Sequence, residues 1–165
     1  MLNDLWMQFT THNAGPLVQF IKYALAGGVA TAVDVCIFYT LSWKFLPAMK
    51  DNDPVARLLK LKIKPIDDQT RSRRFIINTA IAFCFSNLTA YLINIFWVFQ
   101  AGRHAWWVEL ALFYAVSGIS IVIGTFIGWL LIRVFHLSTT FSYVTKGIAA
   151  LLINFVCRKF IIFKG

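Results

Sequence analysis

The sequence predicts an all-α fold, an integral membrane bundle of four transmembrane helices, and three observations lead to that prediction. Hydrophobic residues make up 59% of the chain and charged residues only 14%. The mean hydropathy of +0.68 is well above that of typical soluble domains. Four apolar stretches each reach the roughly 20 residues that a helix needs to cross a bilayer. A soluble domain of 165 residues leaves too much of its surface in water to hide this apolar content.

The predicted spans follow these four stretches in chain order. The second and third are almost free of charge, since Glu109 is the one Asp, Glu, Lys or Arg residue in them. Five of the six tryptophans lie near a predicted span end, where indole rings favour the headgroup layer. The charges inside the first and fourth spans are Lys22, Asp34, Lys146, Arg158 and Lys159. The spans are 20–43, 75–100, 107–132 and 141–163.

The long loop, residues 44–74, contains nine basic and four acidic residues. It is predicted to be a solvated, partly ordered connector, with binding to the membrane surface or to phosphate as the alternative. Over the whole chain, eleven Lys and Arg residues lie on the side of this loop and five on the other. The positive-inside rule, taken alone, therefore places the long loop in the cytoplasm and both termini outside.

Two short matches suggest an internal repeat. Tyr23-Ala-Leu-Ala-Gly27 in the first span is similar to Tyr114-Ala-Val-Ser-Gly118 in the third, and Leu92-Ile-Asn94 in the second to Leu152-Ile-Asn154 in the fourth. A two-plus-two repeat is typical of small transporters. Because the register differs between the two pairs, chance similarity of apolar helices is the alternative.

Asp34 is the most informative residue of the first span. It lies about ten residues from either end, roughly 15 Å of helix, where an unpaired carboxylate costs several kcal/mol. No Lys or Arg stands three or four positions away, so its partner must be another helix, a proton or a ligand. Either it is a neutral Asp bonded to Asn87 or Thr89, or it is a functional acid.

The second span has a polar face made of Asn87, Tyr91 and Asn94, which follow one another at spacings of four and three. Residues at such spacings share one side of a helix. The stripe is therefore expected to point into the bundle. Its amides are suited to hydrogen-bonding sugar hydroxyls, and equally to holding neighbouring helices together.

Small residues recur at every fourth position in the first and third spans, a pattern that lets helices approach closely. The positions are Ala24, Gly28, Ala32, Ser120, Gly124 and Gly128. They indicate tight packing within the chain or between copies. We expect a homo-oligomer, a dimer or tetramer, that packs through these small-residue faces.

Lys22, Arg158 and Lys159 lie near span ends, where long basic side chains anchor to the interface or meet lipid phosphates. The basic residues cluster between apolar runs, which favours membrane lipids over nucleic acid as partners. The sequence contains no Gly-rich nucleotide loop, no His/Glu metal pair and no nucleophile–base pattern. We therefore expect no enzyme activity, no cofactor and no metal site.

Three segments resemble the GtrA-like family of small four-helix membrane proteins. They are Phe20-Ile-Lys-Tyr-Ala-Leu-Ala-Gly-Gly-Val-Ala-Thr-Ala-Val-Asp34, Tyr91-Leu-Ile-Asn-Ile-Phe-Trp-Val-Phe99 and Asn154-Phe-Val-Cys-Arg-Lys-Phe-Ile-Ile-Phe163. The resemblance extends over all four predicted spans, and the first segment is its most specific part. Relatives tend to carry basic residues after the asparagine of the second span, where this chain has Ile95 and Phe96. Its long loop is also longer and more basic.

The resemblance implies translocation of a polyprenyl-phosphate-linked monosaccharide, on a carrier of the undecaprenyl-phosphate type, across the cytoplasmic membrane for cell-surface polysaccharide synthesis or modification. It implies cytoplasmic termini, opposite to the charge count. Under this hypothesis Lys22 and Arg158 or Lys159 attract the phosphate, and Asp34, Asn87, Tyr91 and Asn94 line the sugar path. One alternative is a membrane platform for a polyprenyl-phosphate glycosyltransferase. The other is a proton-coupled exporter of the small multidrug type, with Asp34 as the proton site.

Overall fold

The computed structural model describes residues 2–50, 53–134 and 139–164, and the regular elements in these ranges are all helical. The all-α prediction is therefore confirmed for the described residues. Three helices (α2, α4 and α6 below) continue into a five-residue π-helical turn, at Leu41–Phe45, Asn94–Val98 and Arg158–Ile162. The α-helices are α1 (Leu2–Thr10), α2 (Pro16–Thr40), α3 (Pro54–Leu58), α4 (Asp68–Ile93), α5 (Trp106–Arg133) and α6 (Thr139–Cys157).

Three helical stretches of the described chain are long and apolar enough to cross a membrane. They are Pro16–Phe45 and Gln69–Val98, with 30 residues each, and Trp106–Gly124, with 19. They coincide with the first three predicted spans. Large apolar side chains such as Leu25 and Leu88 are exposed along them, as expected of helices that are apolar on every side and face lipid. The chain is therefore a multi-pass membrane protein.

The fourth predicted span coincides with α6 and the π turn that follows it. Its crossing of the bilayer, and with it the four-helix bundle, stays a prediction. The two-plus-two repeat also stays a prediction. The match between Leu92-Ile-Asn94 and Leu152-Ile-Asn154 does not support it. Asn94 begins a π turn, whereas Asn154 lies inside α6, so the two asparagines occupy different structural positions.

Internal contacts divide the described chain into two compact units. The first unit contains the residues up to Ala26 and those from Tyr91 onward, and the second contains Gly27–Ala90. In the second unit α2 and α4 run antiparallel. The Oγ of Ser86 donates a hydrogen bond to Asp34, and Asn78 donates one to the Oγ of Ser42 near the opposite end. Ala82, which is buried on α4 between these pairs, allows the close approach of the helices.

The core of the first unit is an aromatic cluster. The rings of Phe99 and Phe163 stack with centroids 5.3 Å apart and an interplanar angle of 14°. Each of these phenylalanines directly follows a π turn, and Lys164 N donates to Gln100 O beside them (2.9 Å). The two π turns thereby hold Asn94 and Arg158, the residues with which they begin, inside this unit. The cluster consists of Tyr23, Tyr91, Phe99, Phe113, Phe155 and Phe163.

The long loop contains α3 and the turn that leads into α4. Asp53 precedes α3, and its Oδ1 accepts a hydrogen bond from Val55 N at 3.0 Å. Asp67 precedes α4, and its Oδ1 accepts one from Thr70 N at 2.8 Å. Hydrogen bonds from Thr70 lower the pKa of the exposed Asp67 carboxyl. The loop and the start of α4 border an open cleft of about 430 Å³ whose lining includes Lys64 and Arg74.

Candidate functional site

Arg158 lies at the start of the last π turn and is buried, with 6% of its surface exposed. Its Nη1 donates to the Tyr23 hydroxyl at 3.1 Å and its Nη2 to Ser117 Oγ at 2.9 Å. Its Cζ lies 3.6 Å from the centroid of the Phe113 ring, in the range of a cation–π contact. The π turn places the guanidinium between α2 and α5 of the first unit, instead of leaving it to extend towards the headgroups.

The positive charge of Arg158 has no acidic partner within the described part of the chain. Both of its hydrogen-bond acceptors are hydroxyls. Its Nε is buried and has no hydrogen-bond partner. A buried cation without a counter-charge costs several kcal/mol, so Arg158 is the least satisfied charged group in the first unit's described residues.

Lys22 is fully buried, and its ammonium lies at the C-terminal end of α1. The Nζ donates to Thr11 O at 2.8 Å and to Gln8 O at 3.4 Å, and it lies 5.3 Å from the centroid of the Trp97 ring. Trp97 Nε1 donates to Phe9 O at 2.7 Å. A cation at the C-terminal end of a helix satisfies carbonyls that have no partner within the helix. Lys22 therefore holds α1 in place.

Replacing Lys22 by Met keeps an apolar side chain of similar length and removes the ammonium. We expect α1 to detach, because the carbonyls of Gln8 and Thr11 lose their donor, at a loss of about 1 to 3 kcal/mol. Hydrogen–deuterium exchange over residues 2–14 should accelerate. The control is Lys44→Met, at an exposed lysine in the second unit. Equal protection of α1 in both variants would contradict this role for Lys22.

Tyr91 and Asn94 are both buried in the first unit. The Tyr91 hydroxyl donates to Trp106 O at 3.3 Å, and its ring packs edge-on against Phe113 with centroids 5.6 Å apart. The backbone carbonyl of Asn94 closes the π turn by accepting from Phe99 N. Lys159 is half-buried, and its ammonium lies 5.8 Å from the Phe155 ring centroid. Tyr91 and Arg158 belong to one cluster because both contact the ring of Phe113.

Asp34 is half-buried on α2, in the second unit. Its Oδ1 accepts a hydrogen bond from Ser86 Oγ at 2.9 Å, and no Lys or Arg pairs with it among the residues that the structure describes. Of the partners that the sequence left open (another helix, a proton or a ligand), the structure shows one from another helix, and it is Ser86 instead of Asn87 or Thr89. Asn87 is buried, and its Nδ2 donates to Phe83 O on its own helix.

Glu109 was not a candidate from the sequence, yet it organises the turn before α5. It is buried, and its Oε1 accepts backbone hydrogen bonds from Gly102 at 2.7 Å, Arg103 at 2.9 Å and His104 at 3.3 Å. Gly102 has a φ of +95°, which glycine adopts without strain. The sequence contains an indication of this role, since Glu109 is the one glutamate of the chain and follows a glycine at position 102.

The turn held by Glu109 contacts the π turn that begins at Arg158. The side chain of Arg103 donates to Phe160 O, and the Nε2 of His104 lies 3.1 Å from Ile161 O. Both carbonyls belong to the π turn. Glu109 therefore supports the placement of Arg158 through the turn.

The comparison with known families agrees with this helical membrane architecture. The family model described as GtrA/DPMS, transmembrane domain, matches residues 70–163, more than half of the chain. The chain belongs to the GtrA/DPMS transmembrane domain family. The match begins in α4, so the 20–34 segment, the most specific part of the sequence resemblance, lies outside it. No curated protein and no solved structure matches this GtrA/DPMS chain.

The predicted site residues of this GtrA/DPMS chain are divided between the two units. Asp34 and Asn87 belong to the second unit, and the other five belong to the first. Arg158 and Tyr91 meet in the aromatic cluster, whereas the ammonium of Lys22 contacts α1 and Trp97. Their roles in binding a substrate stay predictions. The sequence did not indicate Tyr23, Ser117 and Phe113, the residues that hold Arg158.

Proposed function

We propose that this protein translocates a polyprenyl-phosphate-linked monosaccharide across the cytoplasmic membrane for cell-surface polysaccharide synthesis or modification. Membership of the GtrA/DPMS family supports a membrane role with lipid-linked sugars. The apolar tail of such a substrate stays in the hydrocarbon, so the protein has only to provide polar contacts for the sugar and the phosphate.

The observation that carries this proposal is the position of Asp34. It is the nineteenth residue of the 30-residue span Pro16–Phe45, half-buried, with one hydroxyl as its partner. An ionisable group at such depth is costly, and such groups are typical of functional sites, substrate pathways among them. A carboxylate is also a strong acceptor for sugar hydroxyls. We assign sugar contacts to Asp34 and Asn87, with Tyr91 and Asn94 as further polar groups on the same helix as Asn87.

The proposal includes a homo-oligomer. Ala24, Gly28 and Ala32 are exposed along α2, and a Cβ added at Gly28 would meet nothing within 4 Å. In the third span, by contrast, Ser120 and Gly124 are buried. The small-residue face of α2 therefore suits close approach by a helix of a second copy. We further propose cytoplasmic termini and association with a membrane glycosyltransferase that makes the lipid-linked sugar.

The test is translocation by the purified protein without other proteins. Vesicles containing a polyprenyl-phosphate-linked hexose are treated with a membrane-impermeant reagent that modifies the sugar. In vesicles without the protein, the reagent should modify only the lipid-linked sugar of the outer leaflet. In vesicles with the protein, it should modify all of the lipid-linked sugar with time. Absence of any protein-dependent exposure would overturn the proposal.

The alternatives make different predictions in the same system. A platform protein alone would move no lipid, and it would retain the glycosyltransferase on the membrane through its basic loop or termini. A proton-coupled exporter would instead accelerate efflux of a cationic dye when a pH gradient is imposed, without moving the lipid-linked sugar.

A further inference from the structure

We propose that Arg158 and the groups that hold it form a binding site for one phosphate-type oxyanion, carried by a lipid or free in solution. The identification of this oxyanion with the phosphate of a lipid-linked sugar rests on the proposed function. The site itself rests on burial, hydrogen bonding and charge in the first unit.

The positive charge of Arg158 has no counter-charge among the described residues. Its guanidinium is almost fully buried against hydroxyls and aromatic rings, and its Nε has no partner. Lys22, the other buried cation of this unit, contrasts with it because two carbonyls accept from its ammonium. The hydroxyls and rings around Arg158 leave its buried Nε–H without an acceptor, so its charge is poorly compensated. An anionic ligand would supply the missing counter-charge.

The guanidinium of Arg158 is held in a fixed orientation. Tyr23 and Ser117 each take one N–H from a terminal nitrogen, and Phe113 covers one face. The Nε–H and one N–H on each terminal nitrogen are left. A planar guanidinium with adjacent N–H groups matches phosphate oxygens in a bidentate arrangement. Orientation before binding reduces the entropy lost on binding.

Further basic residues surround the π turn that begins at Arg158. Lys159 follows it directly, and Lys164 lies exposed just beyond the turn. The side chain of Arg103 binds this turn at Phe160 O. Clustered basic residues raise the local concentration of anions. These three residues would attract an anion that Arg158 then binds.

The proposed site makes Arg158, not Lys22, the cation that recognises phosphate. Lys159 contributes attraction from the edge, since its ammonium lies over the rings of Phe155 and Phe160. Removing Arg158 should therefore affect binding far more than removing any other basic residue of this unit.

The experiment measures binding in detergent, without transport. Wild-type protein is titrated with undecaprenyl phosphate and, separately, with inorganic phosphate, and complexes are quantified by native mass spectrometry. We expect Arg158→Met to weaken binding by about tenfold to a hundredfold, the effect of losing charged hydrogen bonds. Arg158→Lys should retain part of the affinity. The matched control is Arg74→Met, at an arginine of the second unit whose Nη1 donates to Pro47 O, and it should bind like the wild type.

The two ligands separate the two sources of the oxyanion. If inorganic phosphate competes with the lipid, the site recognises the phosphate group alone. If only the lipid binds, the site requires a phosphate that is attached to a lipid. Both results support the site. Binding of neither ligand, or equal binding by wild type and Arg158→Met, would overturn it.

A second measurement uses wild-type protein and does not depend on the folding of a variant. In ¹⁵N-arginine NMR spectra, the Nε–H resonance of Arg158 should shift on addition of the ligand that binds. An unchanged resonance at saturation would overturn the site. Loss of binding in Arg158→Met together with an absence of transport by wild type would leave the site standing and remove the transport proposal.

Discussion

Vesicles containing Asp34→Asn or Asp34→Ala should transfer the head group of a lipid-linked sugar at least tenfold more slowly than vesicles containing the wild type. The carboxylate is a charge-assisted acceptor, and each such hydrogen bond is worth about 1.5 to 3 kcal/mol, which corresponds to about tenfold or more in rate. Head groups crossing the hydrocarbon would lose that acceptor where water is scarcest. The measurement is the initial rate of sugar exposure.

Folding of these variants should be unimpaired, because removal of a buried acid with one hydroxyl partner relieves a desolvation cost. Ser86→Ala should slow transfer less than either Asp34 variant, since it removes only the group that orients the carboxylate. The control is Thr31→Val, one turn earlier on α2, where Thr31 Oγ1 bonds its own helix at Gly27 O. Wild-type rates in Asp34→Ala would remove Asp34 from the pathway.

Glu109→Ala should produce the largest loss of stability among substitutions in the first unit. One carboxylate oxygen accepts three backbone hydrogen bonds, and truncation leaves all three donors to find other partners. We expect a loss of about 2 to 4 kcal/mol, since each hydrogen bond to a charged group is worth about 1.5 to 3 kcal/mol and water can reach the exposed residues of the turn to replace part of it. The measurement is thermal or denaturant unfolding in detergent, followed by near-UV circular dichroism.

Glu109→Gln is the matched variant. Its amide oxygen retains an acceptor at the same place but not the charge, so its loss should be smaller. Because Arg103 and His104 connect the turn to the carbonyls of Phe160 and Ile161, Glu109→Ala should also weaken oxyanion binding at Arg158. Equal stability of Glu109→Ala and wild type would show that the turn does not depend on this carboxylate.

The membrane spans could be predicted because hydrophobicity determines them. The first predicted span, 20–43, and the second, 75–100, fall on Pro16–Phe45 and Gln69–Val98. The largest error lies at the start of the second span, because α4 begins in polar sequence that a search for apolar residues omits. In α4 that sequence includes Arg71, Arg73 and Arg74, which follow the Asp67 cap.

The roles of the cations could not be predicted, because they depend on features that hydrophobicity does not encode. The sequence predicts Lys22 to be an interfacial lysine, because it does not indicate α1 or the carbonyls there that accept from the ammonium. Arg158 is predicted in the same way, because the sequence does not indicate the π turn that directs it inward. Asp34 was the easier prediction, since an acid at mid-span is conspicuous in sequence alone.

Water access at position 34 tests most directly whether a polar route passes through the hydrocarbon. In a chain whose Cys36, Cys84 and Cys157 are replaced by alanine, Asp34→Cys and Val35→Cys are labelled with a charged, membrane-impermeant thiol reagent. Val35 is an exposed apolar neighbour on the same helix and serves as the lipid-facing control. We predict rapid labelling at position 34, slowed by the lipid-linked sugar, and little labelling at position 35. Equal resistance of both positions would contradict a polar route at Asp34.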